Sequence, residues 1–172
     1  MNKSSILAFV LVCFCLLFGS CKKQVPQLPS NKGVETDKSA ASLLKINHDL
    51  TIKEDRILKI YADSIGSFKK NEIGFWYKIY KSGNGTIIKD SVNCKFSSKL
   101  LLLNGRVLEI KVNQFVIGKK QMIIGLEEGL KLMHKGDSAT FIIPWYLGYG
   151  MIGKEKIVPP YTSIIYHIKV FD

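Results

Sequence analysis

Two hydrophobic rhythms divide the chain. Between Ala40 and Ile65 apolar residues recur at helical spacing, and from Gly74 onward they alternate with polar ones. In "TIKEDRILKIYADSI" the residues Ile57, Leu58, Tyr61 and Ile65 form one stripe, which predicts an amphipathic helix. Thr51 and Glu54 stand at capping-box spacing, where each side chain can satisfy a backbone N–H at a helix start. Ala40, Leu43 and Leu44 predict a shorter helix before it. The stripe could lie on the following domain or on a second copy of the chain.

After Gly74 the period is two. "FWYKIYKSG" reads as a strand ended by Gly83-Asn84-Gly85. Along Val92–Leu102, the residues Val92, Cys94, Phe96, Ser98, Leu100 and Leu102 share one face, with Asn93, Lys95, Ser97 and Lys99 on the other, the mark of a half-exposed antiparallel strand. Asn104-Gly105 is a hairpin signal that returns the chain through "RVLEIKV". Leu126, Leu130 and Met133 then predict one helix, with Gly136 placed to stop it. Ala139, Phe141 and Ile143 share a face of the next strand, and Ile164, Tyr166, Ile168 and Val170 share a face of the last. The expected class is α+β: an antiparallel sheet around one short helix, preceded by an N-terminal helical segment.

The ends refine this picture. In "MNKSSILAFVLVCFCLLFGSC" a positive start and an apolar run from Ile6 to Phe18 precede Gly19 and Ser20, a secretory signal over residues 1–20. Residues 22–39 are polar, hold two prolines and lack periodicity, so 21–39 reads as a tether, 40–73 as the helical segment and 74–172 as the sheet domain. A total of 172 residues suits one domain with such additions. The formal net charge of +11 raises the question of nucleic acid. The basic residues are spread without an aromatic-interleaved cluster, and an exported chain meets none, so no nucleic-acid partner is expected.

Candidate chemistry is sparse. His48, His134 and His167 lack cysteine or carboxylate neighbours at ligand spacing, so no metal is expected. Cys94 stands apart from Cys13, Cys15 and Cys21, and reads as a small buried hydrophobe. "GNGTII" leads into a strand rather than a helix and so builds no phosphate cradle. Glu127-Glu128 are helix neighbours that do not face each other, and read as a contribution to the helix dipole. Any catalysis here would use no metal, cofactor or nucleophile.

That absence agrees with a resemblance. "GKKQMIIGLEEGLKLMHKGDSATFIIPWYLGYG" followed by "IVPPYTSIIYHIKV" resembles FKBP-type peptidyl-prolyl cis-trans isomerases, across about residues 74–172. "LFGSC" resembles a bacterial lipobox, with Phe18 where leucine is commoner; this implies lipid on Cys21 and a membrane anchor. Together they look most like the gliding-motility-associated lipoprotein branch. The implied place is the cell envelope, with the domain in the periplasm on the outer rather than the inner membrane. The implied partners are proline-containing polypeptides, membrane lipid through Cys21, and a second copy through the N-terminal helices.

The resemblance also implies site residues. Tyr149 matches a loop tyrosine whose hydroxyl enters the site, and Ile123 the position whose backbone N–H holds the substrate carbonyl. Glu109 keeps the acidic position after the Asn-Gly turn, so the catalytic set is Tyr149, Ile123 and Glu109. Substrate contacts fall to Ser98, Leu108, Met122, Leu126, Ile157, Val158 and Tyr166. Of these, Ser98 replaces a usual tyrosine, Leu108 a phenylalanine and Leu126 a frequent tryptophan, so rings that bury about 150–250 Å² each are gone. Gly148 and Gly150 flank Tyr149 and let the backbone turn it inward, while Pro159-Pro160 stiffens the return. The implied activity is prolyl isomerisation assisting envelope-protein folding. The alternatives are a non-catalytic chaperone of the same fold and a structural lipoprotein subunit.

Overall fold

The computed structural model describes residues 33–81 and 83–172. The signal, the lipobox with Cys21 and the first part of the tether lie outside the described residues. The chain divides after Ser42, and Leu43–Asp172 forms one compact unit that holds the whole sheet.

Helix α1 runs from Gly33 to Ile65 without a break. It begins inside the stretch read as tether and joins the two helices that the sequence suggested. The capping box is therefore not used: Thr51 Oγ1 donates to the Asn47 carbonyl one turn back, at 2.8 Å. Nothing between Gly33 and Thr51 breaks a helix, and continuing it bonds the Thr51 amide within the turn, which removes the need for a cap. Leu58 and Ala62 are buried against Trp76, Leu101, Ile142 and Ile165, with Tyr61 at the margin. Ile57 and Ile65, expected in that stripe, are about half exposed. The contact line follows Leu58 and Ala62, one turn apart on the helix.

Six strands follow: β1 (Lys69–Lys70), β2 (Trp76–Lys81), β3 (Asn93–Leu102), β4 (Val107–Val116), β5 (Ser138–Ile143) and β6 (Ile164–Val170). They form one antiparallel sheet in the order β1-β2-β5-β6-β3-β4. The alternation in β3, β5 and β6 is met: Cys94, Phe96, Leu100, Phe141, Tyr166, Ile168 and Val170 share one buried core. The β3–β4 hairpin turns at Asn104-Gly105, where Gly105 has φ +84° and Asn104 Oδ1 accepts from the Arg106 amide at 3.0 Å.

The short helix α2 spans Ile124–Leu130 and packs on β5 through Gly125 and Gly129. A Cβ at Gly125 would lie 2.5 Å from Ile143 Cγ2, and one at Gly129 would lie 2.8 Å from Phe141 Cε1. The helix ends before Gly136, earlier than expected, because Leu132 and Met133 bond the carbonyls three residues back and tighten the last turn. Glu127 is buried and accepts from the Gly118 amide, anchoring the loop ahead of the helix. Its role is structural rather than a dipole contribution alone. Among the described residues no helix is long and apolar enough to cross a membrane.

Candidate functional site

A cavity of about 200 Å³ opens between α2, the curled β3–β4 hairpin and the loop joining β5 to β6. A roomier hollow of about 610 Å³ lies by Gly83–Gly85 and the C-terminus, but its lining is mostly loop and brings no set of side chains to one point. The smaller cavity does.

Its floor comes from β3 and β6. Phe96 and Ser98 project from the inward face of β3, and Tyr166 from β6, where it pairs with Leu100. One wall is the segment Gln121–Ile123 with Leu126 from α2. Ile123 is extended (φ −64°, ψ 147°), and its carbonyl accepts from the Leu126 and Glu127 amides at 3.1 Å each, which fixes its backbone at the helix start.

The opposite wall is β4, whose pattern is inverted. Ile110 and Val112 face outward, 70 % and 59 % exposed, while Lys111, Asn113 and Phe115 line the cavity. Asn113 Nδ2 donates to Ser98 Oγ at 2.8 Å, so a buried amide and hydroxyl satisfy one another across β3 and β4.

The loop supplies Tyr149 and Lys154. After β5 a turn at Trp145–Leu147 leads to Gly150, whose amide donates to the Trp145 carbonyl at 2.8 Å. Gly150 has φ +66° and Gly153 φ +77°, both left-handed. A Cβ on Gly153 would stand 2.2 Å from the Val158 carbonyl, so only glycine fits there. Lys154 and Val158 then bond each other's backbones and close the tip. Two contacts from α1 hold the base. Tyr146 Oη donates to Asp55 at 2.8 Å, and Ser163, which accepts from the Trp145 amide, donates to Glu54.

Tyr149 Oη and Tyr166 Oη lie 2.8 Å apart. Burial, and then the neighbouring Tyr149, push the Tyr166 hydroxyl well above its ordinary pKa, so it keeps its proton. Lys154 Nζ spans the mouth, 3.0 Å from Glu109 Oε2 and 5.5 Å from the Tyr149 ring centre, and Lys111 Nζ lies 3.2 Å from the same oxygen. Partial burial raises the Glu109 pKa, but hydrogen bonds from Lys154 and Lys111 outweigh it and leave the carboxyl below its ordinary value.

Of the expected site residues, Ser98, Met122, Ile123, Leu126, Tyr149 and Tyr166 meet at this cavity. Glu109 reaches it through Lys154. Leu108 and Ile157 are half-buried against the adjoining core, Val158 is fully buried under the loop, and none of the three lines the cavity. Sequence reasoning did not name Phe96, Lys111, Asn113, Phe115, Gln121 or Lys154 as site residues. Phe96 shares the inward face with Ser98 and was within reach. The β4 residues were not, because hydrophobicity points to the wrong face of that strand. Cys94 is buried, and among the described residues no group of three or more His, Cys, Asp or Glu could hold a metal ion.

The sequence model for FKBP-type peptidyl-prolyl cis-trans isomerases matches residues 80–171, more than half of the chain. A probable isomerase of that type from Haemophilus influenzae is 35 % identical over 109 residues, covering 60 % of this chain and 44 % of its own. FkpA of Buchnera aphidicola, an isomerase of the same type, is 27 % identical over 150 residues, 80 % of this chain and 60 % of its own. The chain thus spans about half the length of these relatives. The crystal structure of FkpA from Escherichia coli superposes with a TM-score of 0.61 at 22 % identity, over 100 % of this chain and 82 % of that one, which establishes the shared fold.

Proposed function

We propose that this chain, which belongs to the FKBP-type peptidyl-prolyl cis-trans isomerase family, catalyses rotation about X-Pro bonds at the cavity between α2 and the β5–β6 loop. The observation that carries the reading is the joining of Tyr149 and Tyr166 hydroxyls, 2.8 Å apart, beside an apolar wall of Met122, Ile123 and Leu126.

Rotation about an X-Pro bond takes tens to hundreds of seconds unaided, because it breaks amide resonance. No proton need move and no bond need break. The apolar wall takes the proline ring and keeps water from the carbonyl. With the protonated Tyr166 as donor to Tyr149 Oη, one of the two directions that their 2.8 Å separation allows, the Tyr149 proton is left for the substrate. That proton and the backbone N–H of Ile123 hold carbonyl oxygens in the geometry of the twisted amide. Donors fixed for the twisted state favour it over the planar one, and each 1.36 kcal/mol of that difference is tenfold in rate. Glu109 acts by holding Lys154 across the mouth.

A second reading is favoured by Ser98 and Asn113, which put a polar pair where the resemblance implies a ring: a domain that holds proline-rich or unfolded segments without accelerating them. Refolding of a proline-limited protein separates the two. Shortening of the slow phase at catalytic amounts supports isomerisation, and an effect only at equimolar amounts supports holding.

The proposal extends to place and partners. A signal over 1–20 and lipid on Cys21 would anchor the domain in the envelope, on the periplasmic side of the outer membrane, as in the gliding-motility-associated branch. Its clients would be envelope proteins. The support is the "LFGSC" stretch, and the test is radiolabelled palmitate, expected in the wild type and lost in Cys21→Ala; equal labelling would refute the anchor. A homodimer through α1 is supported by Leu43, Ile46 and Leu50, which share a helix face and are 61 %, 51 % and 38 % exposed. Light scattering on the wild type and on a Leu43→Gln, Ile46→Gln variant tests it, with a halved mass expected.

A further inference from the structure

Among the described residues that line the cavity there are two lysines, Lys111 and Lys154, and no carboxylate. The acid that reaches them, Glu109, accepts from both through one oxygen, Oε2. One ammonium would neutralise Glu109, and the second is surplus to that pairing. Each ammonium carries three N–H donors and spends one on Glu109, so several remain at the mouth. Glu155 and Lys156, next along the loop, are exposed and of opposite sign, and leave the balance unchanged.

We propose that the site selects proline segments with a carboxylate on a residue adjoining the proline, and that Lys111 and Lys154 recognise it. The proposal rests on the isomerase reading of the cavity and names the substrate class. At about 200 Å³ the cavity is smaller than the roughly 300–1,000 Å³ of a general small-molecule pocket. It holds the ring of proline and leaves the neighbouring side chains at the rim. The rim is where the two lysines stand, with side chains 43 % and 25 % exposed. Lys154 is fixed between Glu109 and the Tyr149 ring, so its charge is held in place before any substrate arrives. The net charge of +11 draws acidic segments from further away and adds to the encounter rate.

The test uses the full chain and blocked peptides in matched pairs, Ala-Glu-Pro-Phe with Ala-Lys-Pro-Phe, and Ala-Leu-Pro-Glu with Ala-Leu-Pro-Lys, with isomerisation followed by NMR exchange. In at least one pair the carboxylate peptide is expected to show about fivefold higher kcat/KM, the scale of one exposed charge pair. That ratio is expected to shrink toward one near 1 M salt, where the screening length is about 3 Å. A Lys111→Met, Lys154→Met variant is expected to bring the ratio to one or below, because it leaves the Glu109 carboxylate unpaired, whatever its absolute rate; the single variants serve if the double one does not fold. Ratios of one in both pairs for the wild type, or an undiminished ratio in the variant, would overturn the proposal. Calorimetric dissociation constants for the same peptides give a separate reading. If no peptide is accelerated, the isomerase reading fails, and the affinity ratio alone decides the carboxylate preference by the same criterion.

Discussion

Ser98 and Asn113 place a hydroxyl and an amide among Phe96, Phe115, Met122, Ile123 and Leu126 in the cavity lining. Ser98 Oγ accepts from the Asn113 amide and donates to the Lys111 carbonyl, so losing the serine strands the amide. Ser98→Ala is expected to cost about 1–3 kcal/mol in urea denaturation, the penalty of an unsatisfied buried amide. Ser98→Ala with Asn113→Leu should recover most of that loss, and a double variant as unstable as the single one would show that the pair is not coupled. Glu109 carries a pH signature. Its folded pKa lies below its ordinary 4.5, so its ionised form contributes stability that is full above that value and lost as pH falls through the lower folded one. The unfolding midpoint should therefore fall more steeply between about pH 5 and pH 3 in the wild type than in Glu109→Gln. Parallel curves would contradict this. The family resemblance made Tyr149 and Tyr166 legible in the sequence, and alternation along the last strand pointed to Tyr166 independently. Asn113 and Lys154 were not, because Asn113 joins Ser98 only through the β3–β4 register, and Lys154 meets Glu109 across a loop whose path no local pattern fixes.

At the scale of elements, the strands were the legible part, since a half-buried strand writes its two faces into alternate residues. Three elements were not. β1 is two exposed lysines inside the stretch 40–73 read as helical, and carries no alternation to show it. β4 is an edge strand with Ile110 and Val112 outward and Lys111 and Asn113 inward, so over these residues its alternation is clear but its sign is reversed, with Phe115 the inward apolar exception. The length of α1 was obscured by a capping box that is chemically sound but sits mid-helix. The helix is more than an addition. Its Leu58 is fully buried on the outer face of the sheet, and Leu58→Ala is expected to cost about 2–5 kcal/mol. Its Glu54 and Asp55 grip the base of the loop that carries Tyr149. A Glu54→Ala, Asp55→Ala variant should lose about 1–3 kcal/mol for two hydrogen bonds. It should also speed hydrogen exchange at Leu147–Gly153 relative to the sheet. Exchange that rises everywhere equally would show that the helix stabilises the whole unit and does not hold the loop in particular.

At the scale of the molecule, one sheet is covered on both faces, and each cover has a separate task. α2 seats on β5 through two glycines and builds a wall of the cavity, whereas α1 closes the opposite face and braces the loop. The reaction proposed for this arrangement needs no titrating group at the cavity, because a twisted amide is met by hydrogen bonds and an apolar wall. The proposed isomerisation is tested most directly by a protease-free assay on an X-Pro peptide, comparing the wild type with a Tyr149→Phe, Ile123→Ala variant that keeps its fold by circular dichroism. Acceleration by the wild type is expected, with a loss of at least about tenfold in kcat/KM in the variant, the equivalent of about 1.4 kcal/mol of transition-state stabilisation. A wild type that accelerates nothing, or a variant as fast as the wild type, would contradict that proposal.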